Sequence, residues 1–185
     1  MSLRYGILGL LRYGDMSGYE VNKVFNDSLA FFWPAQTSQI YRELNTMENK
    51  GWLFSTQVIQ SDKPNKRIYS LTDLGKNEFD LWLSNADKDT EEAMKAKSAY
   101  LLRVFFAGEL SKQEAKNLLL HYKDVCETYL QDINSTKQII ENYQNVSLGD
   151  NRTKFWLITA LYGKMHYLNG IKWAEESLAL LEEEK

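Results

Sequence analysis

Residues 36–72 read QTSQIYRELNTMENKGWLFSTQVIQSDKPNKRIYSLT, and the fold is decided by how this stretch is parsed. Ile40, Leu44 and Met47 recur at three-and-four spacing, which places them on one face of a helix from about Gln36 to Lys50. Gly51 supplies its C-terminal stop, the position where a left-handed residue commonly ends a helix. Two runs with strand character follow, Trp52 to Gln60 and Arg67 to Leu71. Between them Ser61-Asp62-Lys63-Pro64-Asn65-Lys66 is rich in turn formers, so the pair is expected to form a hairpin. The face of the helix opposite its apolar stripe carries Thr37, Ser38, Gln39, Arg42 and Asn45, all polar and able to form hydrogen bonds.

Working outward, Leu3, Ile7, Leu8, Leu10 and Leu11 predict a first helix that stops near Tyr13-Gly14. Ser17-Gly18-Tyr19-Glu20 is a capping box, and Val21, Val24 and Phe25 mark the buried stripe of the second helix that it opens. Pro34 ends the aromatic run Phe31-Phe32-Trp33 and forces extended backbone before it. Downstream, Thr72 or Asp73 caps a fourth helix expected to turn Phe79, Trp82 and Leu83 inward. Three helices, a strand, a hairpin tip and a second strand, in that order, make a winged helix-turn-helix, expected over residues 1–84.

Residues 84–90, Ser-Asn-Ala-Asp-Lys-Asp-Thr, form a polar linker, and residues 91–185 are expected to be all-helical. One helix should run from about Glu91 to Ala107, and another opens at the capping box Ser111-Lys112-Gln113-Glu114. The last begins near Asp150 and carries Phe155, Trp156, Leu161, Tyr162, Met165, Leu168, Trp173, Leu178 and Leu181. A helix of about thirty residues is roughly 45 Å long, more than a small globule covers. Its apolar stripes call for a partner, and a second copy of the chain is the simplest one. The expected class is therefore mainly α with a small β-hairpin: a winged helix-turn-helix followed by a helical dimerisation and effector domain.

Composition sets the outer bounds. With 44% hydrophobic and 25% charged residues the chain is globular rather than disordered, and 13% aromatics provide ring area for interfaces as well as cores. Cys126 is the single cysteine, so an internal disulfide is excluded and a reducing compartment fits. The N-terminal apolar run is broken by Arg4, Gly6, Gly9 and Arg12, no cleavage site follows, and no segment reaches the roughly 20 apolar residues of a membrane helix. A soluble cytoplasmic protein is expected, with no membrane partner. Net charge is -3 and the isoelectric point about 5.5, which does not announce a nucleic-acid ligand. Residues 1–83 hold nine basic and nine acidic side chains, so the case for DNA rests on where the basic ones sit.

Reading sequence in a major groove requires an exposed helix with hydrogen-bonding side chains near its start. On the third helix, Gln39 suits adenine, Arg42 guanine or a phosphate, and Thr37 and Ser38 a phosphate or base edge, while Tyr41 and Asn45 can brace phosphates. Lys63, Asn65, Lys66 and Arg67 surround the hairpin tip with Asp62 as the one acid, which suits a wing that touches phosphates or the minor groove. The competing reading is a winged helix used for protein–protein contact without DNA. Catalysis has little to stand on: His121, His166 and Cys126 have no metal-ligand spacing, and there is no nucleophile elbow or glycine-rich phosphate loop. Glu182-Glu183-Glu184 is a solvated tail, and Cys126, on an apolar stripe, reads as a core residue. No cofactor is expected.

Five segments in order give a more specific signal. Ile7-Leu8-Gly9-Leu10-Leu11, Met16-Ser17-Gly18-Tyr19-Glu20, Phe32-Trp33-Pro34-Ala35, Gln39-Ile40-Tyr41-Arg42-Glu43-Leu44 and Lys66-Arg67-Ile68-Tyr69-Ser70-Leu71-Thr72 resemble the DNA-binding domain of the PadR family of bacterial regulators. Leu101-Leu102-Arg103-Val104-Phe105-Phe106 and Gly170-Ile171-Lys172-Trp173-Ala174-Glu175 are similar in layout to its longer-tailed branch. Arg42 departs from the pattern, which often has proline there. The resemblance implies a homodimer that represses a promoter on double-stranded DNA and is released by a small effector, phenolic acids in some members of that branch. An aromatic carboxylate needs a ring slot and a cation, for which Arg103, Lys154 and His166 with Trp156 and Tyr162 are the candidates.

Overall fold

The structure, a computed structural model, describes residues 3–30, 32–59, 65–85, 97–144 and 150–183, with side chains throughout except at 134–144, 150 and 151. It divides into two compact units, Met1–Ala93 and Met94–Lys185.

In the first unit, α1 (Leu3–Leu11) buries Ile7, Leu8, Leu10 and Leu11 and packs against α2 (Gly18–Ser28), α3 (Thr37–Asn49) and α4 (Asp73–Leu83). Val21 and Phe25 of α2 and Ile40, Leu44 and Met47 of α3 meet it to form the core, closed by Leu53 and Tyr69 of the sheet. The cap expected at α2 is present: Glu20 N–H donates to Ser17 Oγ at 3.2 Å while Glu20 Oε2 accepts from Ser17 N–H at 2.7 Å. The Ser17 hydroxyl also donates to Glu20 Oε2 at 2.6 Å, and this bond first, then the one from Ser17 N–H, holds the Glu20 carboxyl below its usual range. Lys50 caps the end of α3, and Gly51 follows at φ 71°, a left-handed conformation that glycine adopts without a Cβ penalty.

The hairpin consists of β2 (Leu53–Val58) and β3 (Lys66–Leu71), antiparallel with Gln57 opposite Arg67 and Ser55 opposite Tyr69. A two-residue strand, β1 (Met16–Ser17), pairs with the other edge of β3 and makes the sheet three-stranded, which the sequence reading did not anticipate. Two residues carry too little periodicity to read, and the pairing exists only because α1 and α2 bring Met16 opposite Tyr69. β2 is shorter than expected, ending at Val58, and residues 60–64, including Lys63, lie outside the described residues. α4 is capped by Thr72, whose Oγ1 accepts from Gly75 N–H at 3.0 Å. Leu83, expected inward, is 60% exposed because it falls in the last turn, off the face that carries Phe79 and Trp82 against α1. Trp82 instead stacks on Tyr5 at 4.7 Å between ring centroids.

In the second unit, the helix expected from Glu91 begins at Ala99 among the described residues, because Ser98 caps it with its hydroxyl accepting from Leu101 N–H at 3.1 Å. This helix, α5 (Ala99–Phe105), is followed by a single 3-10 turn, Ala107–Glu109. Residues 86–96, which hold most of the expected linker and the start of the expected helix, lie outside the described residues. The Ser111–Glu114 capping box is present and opens α6 (Lys112–Gln144), and α7 (Asp150–Glu182) packs along it. Lys116 with Glu182 and Lys123 with Glu175 (2.6 Å) tie the start of α6 to the end of α7, so the two helices are antiparallel. Their seam sets Ala115, Leu119, Cys126 and Ile133 of α6 against small residues of α7, Ala160, Gly170 and Ala174. Tyr100 and Tyr122 stack beside it with Trp173 edge-on to both, and burial, with Tyr122 and Cys126 adding to it, pushes the Tyr100 hydroxyl up to about 12.

α7 has a second apolar face. Phe155, Ile158, Tyr162 and Met165 lie at three-and-four spacing with Leu161 and Leu168 alongside, all exposed in the single chain. Together they present on the order of 600 Å² of apolar surface, the upper end of what monomers leave open. No helix of the described residues is long and apolar enough to cross a membrane.

Candidate nucleic-acid interface

α3 is pinned by its buried stripe, so its opposite face stays in solvent. Thr37, Ser38, Arg42 and Asn45 are exposed there, at the start and along the first two turns. Gln39 is half-buried, and its Oε1 accepts from Gln36 N–H at 2.9 Å. Its carbonyl thus serves the helix start, leaving the amide NH₂ as the group able to face a ligand. Tyr41 lies over α2: a Cβ built on Gly18 would sit 2.6 Å from Tyr41 Cε1, so the backbone of α2 is in direct contact with this ring. Glycine at 18 sets how closely the first turn of α2 approaches α3.

The basic residues of the hairpin do not share one role. Lys66 is half-buried at the base of the tip, near enough to Glu20 to help lower its carboxyl. Asn65 is exposed beside it. Arg67, expected to contact phosphate, is already engaged. Its Nε donates to Ser55 Oγ at 2.6 Å and its Nη2 to Glu48 Oε2 at 2.7 Å, while Ser55 Oγ donates to Glu48 Oε1 at 2.6 Å. The guanidinium also lies over the Tyr69 ring, 5.5 Å from its centroid. Sequence reasoning passed over Glu48 and Ser55, whose separations of 19 and 12 residues from Arg67 carry no local signal; opposite charge on a helix end and a facing strand was the one hint.

Ion pairing explains how residues 1–83, neutral in sum, present cations. Arg4 with Glu43 (3.5 Å), Arg12 with Asp80 (3.1 Å), Arg67 with Glu48 and Lys76 with Asp73 (2.9 Å) each match a base to an acid, and Lys50 lies over Trp52. Arg42 and Lys23 remain exposed without a side-chain partner among the described residues. Net charge hid this because it counts neutralised and available cations alike.

The expected effector residues are spread out. Arg103 lies exposed on α5, and the other four are on α7. Lys154 and His166 are about 18 Å apart along the helix axis at 1.5 Å per residue, too far for one single-ring ligand to touch both. Lys154 and Trp156, two residues apart, face different ways. Tyr162 and His166, four apart, form a stacked pair with centroids at 6.5 Å on the open apolar face. Among the described residues no group of three metal-capable side chains gathers.

Comparison with known proteins fits this geometry. Residues 7–81 match the transcriptional regulator PadR-like family and residues 96–182 the virulence activator alpha C-terminal family. The negative transcriptional regulator PadR of Bacillus subtilis is 32% identical over 185 residues, 98% of either chain. The crystal structure of that regulator in complex with operator DNA superposes with a TM-score of 0.78 at 30% identity, covering 98% of this chain and 100% of the other. Its complex with p-coumaric acid gives 0.73 at 27% identity, covering 98% and 96%. On the match along almost its whole length, the chain belongs to the PadR-like family of transcriptional regulators.

Proposed function

We propose that the protein represses transcription as a homodimer, the first unit gripping operator DNA and the second holding the dimer and answering an aromatic acid. The observation that carries the reading is α3: a helix anchored by Ile40, Leu44 and Met47 that keeps Thr37, Ser38, Arg42 and Asn45 in solvent. In this reading α3 enters the major groove, Gln39 and Arg42 address base edges, and Thr37, Ser38, Tyr41 and Asn45 hold phosphates. Lys66, Asn65 and Lys63 follow the backbone from the hairpin. The operator complex of the B. subtilis relative supports the DNA ligand, and its p-coumaric acid complex supports a phenolic acid as effector. The open face of α7 supports the second copy, since an apolar stripe of that size is unfavourable in water. Tyr162 and His166 on that face supply a ring and a hydrogen-bonding group for the acid, and the cytoplasm is where such a repressor meets its DNA.

A duplex selected from a random 30-base-pair pool provides the probe. Gln39→Ala should cost about 1–3 kcal/mol on the selected duplex and leave random duplex bound nearly as before, while Lys66→Ala weakens both alike. p-Coumaric acid should release the selected duplex. A protein that binds no duplex in a salt-dependent way would instead be a winged helix used for protein contact.

A further inference from the structure

We infer that Arg67 is a positioning residue rather than a phosphate contact: with Glu48 and Ser55 it forms a strut that fixes the wing against the end of the reading helix. The inference rests on the DNA-binding reading for its purpose, but not for its geometry.

Three hydrogen bonds form a closed ring. Arg67 Nε reaches Ser55 Oγ, the Ser55 hydroxyl proton goes to Glu48 Oε1, and Arg67 Nη2 reaches Glu48 Oε2. Glu48 lies in the last turn of α3, Ser55 in β2 and Arg67 in β3, so one ring ties both wing strands to the helix. All three bonds are 2.6–2.7 Å, the short range of charge-assisted bonds. An isolated surface ion pair contributes little, but a guanidinium held by two partners in fixed geometry and backed by a ring belongs to the class that does. β2 and β3 also meet α3 through Gly51-Trp52 and the core contacts of Leu53 and Tyr69, nearer the base of the hairpin. Arg67, opposite Gln57, lies two residue pairs nearer the tip than Tyr69 and its partner Ser55, where a small change of angle moves the wing most. A helix and a wing that must reach one duplex together gain affinity from having that angle set beforehand.

The sign of one substitution separates the two roles. If Arg67 were a phosphate contact restrained by Glu48, removing the carboxylate would free the cation and take a negative charge away from DNA, so Glu48→Ala would bind DNA more tightly. If the ring is a strut, Glu48→Ala weakens binding although it removes a negative charge. The experiment compares full-length wild type, Glu48→Ala, Glu48→Gln, Arg67→Ala and the double alanine variant by hydrogen exchange without DNA and by titration of the selected duplex across a salt series. The strut predicts that amides of β2 and β3 exchange about tenfold faster in each alanine variant while those of α1 are unchanged. It predicts a loss of about tenfold in affinity for either single variant, little further loss in the double, and a salt slope unaltered in all. Glu48→Gln keeps one acceptor and should fall between. Hairpin exchange equal to wild type, or Glu48→Ala binding as tightly as wild type or more tightly with Arg67→Ala flattening the slope by about 0.9, overturns it. If wild type binds no duplex, the functional reading fails, and the exchange measurement still decides the strut.

Discussion

Gly75→Ala sets helix propensity directly against tertiary contact. Gly75 occupies the first turn of α4, where alanine should stabilise by up to about 1 kcal/mol through propensity and a less flexible unfolded chain. In the fold, however, a Cβ at this position would sit 2.1 Å from the Trp52 carbonyl oxygen and 3.0 Å from its carbon. An ordinary carbon–oxygen contact is about 3.3 Å or more, so α4 and the start of β2 must separate by roughly 1 Å. The same carbonyl accepts from Thr72 N–H at 3.1 Å and Thr72 Oγ1 at 3.0 Å, and Thr72 also caps α4, so that movement strains a knot of bonds each contributing about 1 kcal/mol. Adding about 1–3 kcal/mol for overpacking, the loss outweighs the propensity gain, and a net destabilisation of about 2 kcal/mol is expected. In a unit of this size that lowers the melting temperature by about 8–16 °C. Calorimetry of the full chain measures it, with Gly108→Ala, whose added methyl meets nothing within 4 Å, as control. A Gly75→Ala protein as stable as wild type would refute the reasoning, because propensity would then have won over contact.

Ser17→Ala should cost about 1 kcal/mol at neutral pH through the lost cap. Because the Glu20 carboxyl is lowered in the folded state, its contribution is complete above the ordinary carboxylate range and fades as pH falls through the lowered value. In urea melts the gap between variant and wild type should therefore narrow in acid without closing, because Glu20 N–H still donates to Ser17 Oγ, and a constant gap would contradict the assignment. Gly170→Ala places a methyl 2.8 Å from Cys126 Sγ and should loosen the α6–α7 seam; Cys126→Ala in the same chain should restore much of the loss, and a strictly additive double variant would rule out that contact as the cause. Ile158→Glu with Met165→Glu, both exposed in the single chain, should leave helicity intact but give a monomer in sedimentation that binds the selected duplex poorly.

Sequence alone determined what local chemistry and periodicity can carry. Ser17 with Glu20, Ser111 with Glu114, and Gly51 after α3 identified helix ends because capping needs particular side chains within three residues of one another. Ile40, Leu44 and Met47 specified which face of α3 is buried and hence which polar residues remain outside, since one helical period fixes both. Only the tertiary structure decided the rest, because those features arise between residues far apart in the chain. β1 exists where Met16 meets Tyr69, Gly75 is required by the Trp52 carbonyl, and Leu83 is exposed because the helix turns past its core contacts. Arg67 shows the limit most clearly: its charge and place in the hairpin suggested a phosphate, but whether a cation faces solvent or a carboxylate depends on what the fold brings within 3 Å of it. Here that is Glu48, nineteen residues earlier on another element.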